Sequence, residues 1–487
     1  MPTTQKDGIE NMKVLYVTSE AIPFASSGQL AEVSSSLPYA LRQRLVTCRV
    51  VMPFYEAIPQ ELQDNMRFVV SLSVPVAWRR QYCGVFECRY KGVTYYFIEN
   101  QYYFKRKGFY GHYDDAERFA FFSRAVLEML PYIDYKPDVI HANDWQTAMV
   151  PVFHDLFYSK MEWYYGIKTV FAIHNMQYQG KYGMELAEEV LGIPYESRGL
   201  VEFDGCINFV KSAIETAHKV ITTSPTYAQE LRDPWFACGL DSIIRDRFWK
   251  VEGILNGLDT ASYNPETDTM LYAQYGDDSF IDGKAVNKRE LQRRLYLPER
   301  GDVPMIGMVT SMVPAKGVDI LRDILEELLQ NCDVQFVILG SGDWEYEEYF
   351  KGIQERYRDK FVACFGFIPE LSRKIYAASD IFLVPSRSEP GGSAQLVALR
   401  YGAVPIVRET GALRDTVFDS ADGYGNGFVF QAYNGGDLLN AIYRALGGYS
   451  NRDGWNILVK RDMNCDNSWN KSAKQYLNMY KELLAEQ

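Results

Sequence analysis

Residues 384–395 indicate the fold, and they read Val384-Pro385-Ser386-Arg387-Ser388-Glu389-Pro390-Gly391-Gly392-Ser393-Ala394-Gln395. An apolar run ends here, a carboxylate follows it, and a glycine pair precedes a helix-like segment. A buried strand, a glycine turn and a helix form the repeating unit of parallel α/β sheets. The glycines let backbone N–H groups approach an anion, and the carboxylate can hold sugar hydroxyls. The stretch therefore predicts a ligand site at a strand end; a capped helix without a ligand is the alternative.

Apolar, β-branched runs recur along the chain, separated by longer amphipathic segments. Runs that are apolar throughout are typical of parallel strands covered by helices on both faces. The first series comprises Val14–Thr18, Arg49–Met52, Val93–Ile98, Val139–His141, Thr169–His174 and Val220–Thr223. The second series comprises Met305–Val309, Gln335–Leu339, Ile381–Val384 and Val404–Val407. The fold class is therefore predicted to be α/β, with two doubly wound, Rossmann-like domains.

The segment Ile254–Asp259 and the Pro/Asp/Gly-rich region after it separate the two series. We predict an N-terminal domain over residues 12–255, a C-terminal domain over 256–465 and a C-terminal segment over 466–487. Within that last segment, Ser468–Gln487 reads as an amphipathic helix, because apolar side chains recur three or four residues apart. The predicted buried face consists of Trp469, Ala473, Tyr476, Tyr480 and Leu483.

Composition excludes several classes of protein. Hydrophobic residues make up 47% and charged residues 23% of the 487 residues, which is typical of a globular enzyme and not of a disordered chain. The net charge of −12 argues against nucleic acid as a partner, since that needs a basic face. The eight cysteines lack CxxC spacing and the five histidines lack a metal-binding spacing, so we expect most of the cysteines to be buried free thiols and we expect no metal site. The first eleven residues have no apolar signal core and no run is long enough for a membrane span, which predicts a cytoplasmic protein.

Polar residues at strand ends of the first series are candidates for a site. A turn containing Gly28 follows the first strand and could expose N–H groups to phosphate, or it could be an ordinary connection. Asp144 lies in a polar cluster before a tryptophan, which fits either a sugar site or a helix cap. His174 closes an apolar run and is either a site residue or a histidine satisfied within the core.

The second series offers a cation and a second glycine turn. Lys316 follows a strand and begins a helix, where it could neutralise a diphosphate or simply be solvated. Thr410-Gly411-Ala412 repeats the arrangement of strand, glycine and helix. An anionic ligand would need such groups because the chain is acidic overall.

Several of these segments together resemble the bacterial glycogen (starch) synthase family of retaining GT-B glycosyltransferases. The matching segments, which occur in family order over roughly residues 12–484, include KVLYVTSEAIPF, ERFAFFSRAVLEMLP, DVIHANDWQTAMVP, VFAIHNMQYQGKYG, GILNGLDTASYNPETD and VPSRSEPGG. The resemblance implies two Rossmann-like domains facing a cleft, with a C-terminal helix returning to the first domain. It also implies transfer of glucose from ADP-glucose to the non-reducing end of an α-1,4-glucan such as glycogen or maltooligosaccharide, without a metal or other cofactor.

The resemblance also assigns roles to residues. Glu389, His174 and Asp144 would be the catalytic residues, with Glu389 holding hydroxyls of the donor glucose. Lys316 would contact the diphosphate. The further substrate-binding positions would be Gly28, Asn256, Gly391, Gly392, Ser393, Thr410 and Gly411.

The chain departs from the family at the expected donor site. Where the family has KTGGL, Ser26 replaces the lysine and Gln29 the second glycine, and Ser311 replaces the arginine of SRL. Ala394 and Ala412 stand where relatives have the threonine of EPCGLTQ and the second glycine of TGGL. Losing one charged partner of a transition-state anion costs on the order of 3 kcal/mol, or about a hundredfold in rate.

Two functions therefore follow from the sequence. The first is a glucosyltransferase in which other cations, such as Arg245, Arg247 or Arg387, take the place of the missing pair. The alternative is an impaired or inactive relative that binds α-glucan or has a regulatory role.

Overall fold

The computed structural model describes residues 12–486, which form two compact α/β units. The first unit contains residues up to Ile254 together with a C-terminal helix from Trp469, and the second unit spans Leu255–Ser468. The polar segment 1–11, on which the absence of a signal peptide was predicted, and Gln487, the last residue of the predicted helix, lie outside the described residues.

The first unit is built on a nine-stranded sheet with the strand order β12-β11-β7-β6-β1-β2-β5-β4-β3, accompanied by a small sheet ordered β8-β10-β9. The strands are β1 (Lys13–Val17), β2 (Thr47–Pro53), β3 (Arg67–Val76), β4 (Arg79–Tyr90), β5 (Val93–Glu99), β6 (Val139–Asn143), β7 (Lys168–Ile173), β8 (Lys181–Tyr182), β9 (Glu202–Phe203), β10 (Cys206–Asn208), β11 (Lys219–Thr222) and β12 (Val251–Gly253). The helices are α1 (Gln29–Gln43), α2 (Gln60–Gln63), α3 (Gln101–Phe104), α4 (Asp115–Met129), α5 (Met149–Phe153), α6 (Leu186–Glu189), α7 (Phe209–Thr216), α8 (Pro225–Glu230) and α9 (Asp241–Asp246).

All six strands predicted in this unit exist, and they pair in parallel. The antiparallel hairpin of β3 and β4 was not predicted, because β3 carries exposed and half-buried residues along much of its length instead of a continuous apolar run. The purely parallel expectation is therefore wrong at this edge of the sheet.

The second unit contains a six-stranded, fully parallel sheet with the order β15-β14-β13-β16-β17-β18. Its strands are β13 (Met305–Val309), β14 (Gln335–Gly340), β15 (Phe361–Phe365), β16 (Ile381–Val384), β17 (Val404–Arg408) and β18 (Phe428–Phe430). Its helices are α10 (Phe280–Arg294), α11 (Val318–Asn331), α12 (Trp344–Arg356), α13 (Pro369–Ala378), α14 (Ala394–Arg400), α15 (Gly411–Thr416), α16 (Gly435–Ser450) and α17 (Arg452–Met463). The four predicted strands are present, and the two edge strands β15 and β18 were missed.

The last helix, α18 (Trp469–Ala485), rejoins the first unit, as the fold class predicted. The five side chains of its predicted face are all buried. The Tyr480 hydroxyl lies 2.6 Å from His141 Nδ1, within the core of the first unit. The helix therefore completes that core with a buried polar contact as well as with apolar area.

Each parallel sheet reverses its direction of winding at one point, between β1 and β6 in the first unit and between β13 and β16 in the second. Ligands of doubly wound sheets bind at such switch points, beyond the carboxyl ends of the strands. The Gly28 turn and Asp144 follow β1 and β6, and Lys316 and Glu389 follow β13 and β16. Both switch points are therefore occupied by predicted site residues.

Two further expectations concern membrane-spanning helices and the cysteines. Among the described residues, none of the helices has the length and apolar content that a membrane span requires. All eight cysteines are free thiols, but Cys48 and Cys83 alone among them are buried, so the expectation that most would be buried is wrong.

Candidate active site

Asp144 lies directly after β6 with a positive φ of 55° and caps no helix with its side chain. Its Oδ1 instead accepts a hydrogen bond of 2.7 Å from the backbone N–H of His174, at the end of the neighbouring strand β7. Burial raises the pKa of the Asp144 carboxyl, and the nearby His174 opposes that rise. The helix-cap alternative is therefore wrong, and the carboxylate joins the ends of two adjacent strands.

His174 is partly exposed, so it is not a residue enclosed by the core. Its Nε2 lies 3.0 Å from Oδ1 of Asn143, whose amide nitrogen donates to the Val17 carbonyl at 2.8 Å. Because an amide oxygen can only accept, Nε2 must carry the proton. Burial lowers the pKa of His174, which favours the neutral ring and leaves Nδ1 as an acceptor for a ligand hydroxyl.

The Gly28 turn leads into α1, and Gly28 is its extended N-cap residue. Ser26 is exposed and Gln29, the first residue of the helix, is partly exposed. A methyl group on Gly28 would meet no atom within 4 Å, so the packing here does not require a glycine. The turn is open to a ligand, but the lysine expected at position 26 is absent.

Sequence reasoning missed the buried carboxylate beside this turn, Glu20. It accepts hydrogen bonds from the backbone N–H of Ser27 and from the Tyr110 hydroxyl, and Ser27 Oγ donates to it at 2.7 Å. Tyr110 Oη also lies 2.8 Å from Ser19 Oγ. Glu20 is separated from Tyr110 by 90 residues, so the sequence alone offered no signal for this cluster.

Glu389 is the centre of the corresponding cluster in the second unit. Its Oε2 accepts from Lys316 Nζ at 2.6 Å and from Ser386 Oγ at 2.8 Å. The carboxylate is buried, whereas the lysine remains one-third exposed. The structure therefore brings together two predicted site residues from different loops, with the lysine reachable by a ligand.

Two predicted glycines are required by their closeness to Glu389. A Cβ on Gly392 would lie 2.5 Å from Glu389 Cγ, and a Cβ on Gly411 would lie 2.2 Å from the Glu389 carbonyl oxygen. Gly411 also has a φ of +45°. Ala412 donates its N–H to that same carbonyl at 2.9 Å, so this N–H is already used within the protein.

The remaining predicted residues of this loop flank short helices. Gly391 is buried, and Ser393 is the N-cap position of α14 but caps it with no side-chain hydrogen bond. Ala394 begins that helix, and the buried Thr410 precedes α15. All of these residues lie beyond the carboxyl ends of β16 and β17.

The loop that carries Lys316 is held in place by its neighbours. Gly317 has a φ of +80°, and a Cβ there would lie 2.2 Å from the Pro385 carbonyl oxygen, which fixes the loop against the end of β16. The Tyr433 hydroxyl donates to the Pro314 carbonyl at 2.8 Å. Ser311, at the start of this loop, is exposed and adds no charge to it.

Asn256 is buried, and neither polar atom of its side chain has a hydrogen-bond partner among residues 12–486. A buried amide without partners costs on the order of 1–3 kcal/mol, so such groups in native proteins usually serve a ligand or a water molecule. This position therefore retains the hydrogen-bonding capacity expected of a substrate-binding residue.

The cations considered as substitutes have partners of their own. Arg245 pairs with Asp241 at 2.6 Å, and Arg247 pairs with Glu215 at 2.8 Å. Arg387 is exposed, and its guanidinium carbon lies 5.4 Å from the centre of the Tyr433 ring. Arg387 is thus the candidate that lies in the same loop as Glu389.

An exposed aromatic ring lies at the same carboxyl edge of the second sheet. Phe367 follows β15 and is 93% exposed. Its neighbour Gly366 donates to the Gly340 carbonyl at 2.9 Å, and Ser341 accepts from the N–H of Met312 at 2.9 Å. A chain of adjacent loops therefore joins this exposed ring to the loop of Lys316, where it could stack on a planar base.

Comparisons with known proteins show which family the chain belongs to. Residues 13–246 match the family model described as the starch synthase catalytic domain, and residues 293–456 match glycosyl transferases group 1. The chain is 46% identical over 482 residues to the glycogen synthase of Clostridium perfringens, covering 98% of this chain and all of that protein. It is 45% identical to the glycogen synthase of a Bacillus cereus strain, covering 97% of this chain and all of that protein.

A solved structure is similar over the same extent. The catalytic domain of starch synthase IV from Arabidopsis thaliana, bound to ADP and acarbose, has a TM-score of 0.88 and 33% identity, covering 98% of this chain and 100% of that one. Sucrose-phosphate synthase from Thermosynechococcus elongatus, with a TM-score of 0.60 and 18% identity, shares the fold. By its full-length identity to these enzymes and its two Rossmann-like domains, the chain belongs to the glycogen synthase family of GT-B glycosyltransferases.

Proposed function

We propose that this protein transfers glucose from ADP-glucose to the non-reducing end of an α-1,4-glucan, with retention of configuration and without a metal ion. The observation that carries the proposal is the pairing of Lys316 with Glu389 at the switch point of the second sheet. When the donor binds, Lys316 would turn from the carboxylate towards the diphosphate, and Glu389 would then be free to hold hydroxyls of the donor glucose while ADP departs. The solved relative bound to ADP and acarbose supports this choice of ligands.

Residues of the first unit would act on the transferred glucose. The Nδ1 acceptor of His174 and the Asp144 carboxylate can each accept a sugar hydroxyl. Asn256 has both a donor and an acceptor that lack partners among the described residues. Phe367 is the residue we assign to the adenine ring. These groups bind and orient the sugar, and Lys316 stabilises the charge that develops on the leaving group.

We further propose that turnover is slow, because Ser26 and Ser311 replace two cations of the donor site. Each missing cation costs on the order of 3 kcal/mol of transition-state stabilisation where nothing replaces it. Arg387 is the residue on this surface that could recover part of the loss.

The test is transfer of labelled glucose from ADP-glucose to glycogen, with Glu389→Ala as the blank and Glu370→Ala as a matched control on the exposed face of α13. We expect turnover above the blank that EDTA leaves unchanged, and full activity of the control. Turnover equal to the blank, with glycogen still bound, would contradict the proposal and favour a glucan-binding relative without chemistry.

A further inference from the structure

A second pocket lies in the first unit, away from the residues assigned to the reaction. It has a volume of about 400 Å³ and is lined by Gln81, Tyr82, Glu99, Asn100, Gln101 and Tyr102. We call it the tyrosine pocket. Its volume is within the usual range for small-ligand sites.

The tyrosine pocket is lined by aromatic side chains that are exposed to solvent and not packed in the core. Tyr82 is 53% exposed and Tyr102 is 61% exposed. Tyr113, 90% exposed, lies beside Tyr102 with their hydroxyl oxygens 3.5 Å apart. Three adjacent tyrosines of this kind form an amphipathic surface, with apolar rings and polar tips.

Hydrogen bonds fix the backbone beside the pocket and the ring of Tyr82. The side chain of Asn100 donates to the Tyr82 carbonyl at 2.7 Å and accepts from the N–H of Tyr103 at 3.1 Å, which fixes the start of α3. Tyr82 is hydrogen-bonded to Glu99. Gly84 allows this bond, since a Cβ there would lie 2.8 Å from both the Tyr82 hydroxyl and the Glu99 carboxylate.

The pocket lies in the same sheet as the first-unit residues that we assign to the reaction. Glu99 ends β5, so the pocket lies at the same carboxyl edge as Asp144 and His174. Four strand spacings separate β5 from β7, which is roughly 19 Å at about 4.8 Å each. The loop between α3 and α4 contacts both regions. Its Tyr110 hydroxyl donates to Glu20 beside the first switch point, and its Tyr113 hydroxyl lies next to that of Tyr102 at the pocket.

We propose that the tyrosine pocket binds an α-1,4-glucan chain at a distance from its reacting end. Exposed rings can cover the apolar faces of glucose units, while the amides of Gln81 and Gln101 and the Glu99 carboxylate bind their hydroxyls. A polymer held at two points on one edge gains effective concentration at the reaction centre, which a short acceptor cannot. This inference rests on the proposed function, since it takes the acceptor to be a glucan.

The test compares wild-type protein with the double variant Tyr82→Ala/Tyr102→Ala by electrophoresis through gels that contain glycogen, in the absence of donor. The matched control is Tyr165→Ala, which removes a ring that is 79% exposed just before the amino end of β7. We expect the double variant to bind glycogen on the order of tenfold more weakly than both other proteins, since truncated aromatic contacts commonly dominate binding. Equal melting temperatures would show that all three are folded.

Kinetics provide the second readout. The double variant should raise KM for glycogen on the order of tenfold, with kcat and the KM for maltotriose unchanged. Unchanged glycogen retention, or an equal rise of KM for maltotriose, would overturn the inference. Wild-type protein that binds glycogen but transfers no glucose would contradict the proposed function instead, and the binding experiment would still decide the role of the pocket.

Discussion

The two sheets each place a buried carboxylate beside the switch point, but the two carboxylates have different kinds of partner. In the first unit, Glu20 accepts from the N–H and hydroxyl of Ser27 and from Tyr110, which are all neutral donors. In the second unit, Glu389 pairs with the cation Lys316. The first turn therefore offers a diphosphate no lysine of its own, whereas the second offers one that is already positioned.

The two units also differ in the number of histidines that they contain. The five histidines of the chain all lie before residue 255, and the second unit contains none. The rings of His141 and His154 are buried with their Nε2 atoms unpaired among the described residues. The first unit therefore keeps neutral bases in its core, and it should respond to acid differently from the second.

The largest expected effect is this difference in acid stability. Burial lowers the pKa of His141 to about 3 and that of His154 to about 4. Because these values lie below the unfolded value of about 6.5, the stabilisation is present above that pH and is lost as the pH falls. At up to about 1.4 kcal/mol per pH unit for each ring, these two histidines should cost the first unit about 3 kcal/mol between pH 6.5 and 5.

A buried carboxyl of the second unit should contribute with the opposite sign. Burial raises the pKa of Asp462 well above its usual value, so protonation stabilises the folded form as the pH falls. Hydrogen exchange read by mass spectrometry at both ends of this pH range, corrected for the intrinsic rate, measures both units in one sample. Equal loss of protection in the two units would contradict the assignment of acid sensitivity to the buried histidines.

Removing Lys316 should abolish the contrast between Glu20, which accepts from neutral donors, and Glu389, which is paired with a cation. Lys316→Met leaves Glu389 without its ion pair and the departing diphosphate without its counter-charge, so kcat should fall about a hundredfold or more. Transfer of labelled glucose measures the change. The control is Lys360→Met, which removes an amine bonded to the carbonyls of Leu329 and Cys332 at the opposite edge of the same sheet.

Supplying the missing cations should have a smaller effect in the other direction. Ser26→Lys combined with Ser311→Arg should raise kcat/KM for ADP-glucose between about tenfold and a hundredfold, because both positions are exposed and partly screened. Asn331→Lys adds a charge at the exposed end of α11, which leads into the amino end of β14 and not to a carboxyl strand end, and should change nothing. An unchanged rate in the double variant would mean that Arg387 or another group already supplies the charge.

The sequence predicted the parts of this arrangement that are local. Continuous apolar runs such as Val404–Val407 identify buried parallel strands, and the spacing from Trp469 to Leu483 identifies the face of α18. The half-exposed β3 carries no such run and was missed. Asp144 was left open between a helix cap and a sugar site because its actual partner, the N–H of His174, lies 30 residues away.

The pairings within the candidate site depend on strand order in the same way. Lys316 and Glu389 are 73 residues apart, and they meet because β13 and β16 are neighbours at a switch point. Spacing along the chain cannot predict this. The resemblance to a family assigned both residues, but it did not show that they neutralise each other.

The smallest expected effect separates two uses of glycine at the switch points. Gly411→Ala should destabilise the protein by about 2 kcal/mol, because φ is positive there and the new Cβ would lie 2.2 Å from the Glu389 carbonyl oxygen. Gly28→Ala should cost about 0.5–1 kcal/mol, since its backbone is extended and nothing lies within 4 Å, which leaves only the poorer N-cap preference of alanine. Chemical denaturation measures both. If Gly28→Ala keeps its stability but loses transfer, the first turn meets the ligand through its backbone; if Gly411→Ala proves as mild as Gly28→Ala, the loop around Glu389 is not held by this close contact.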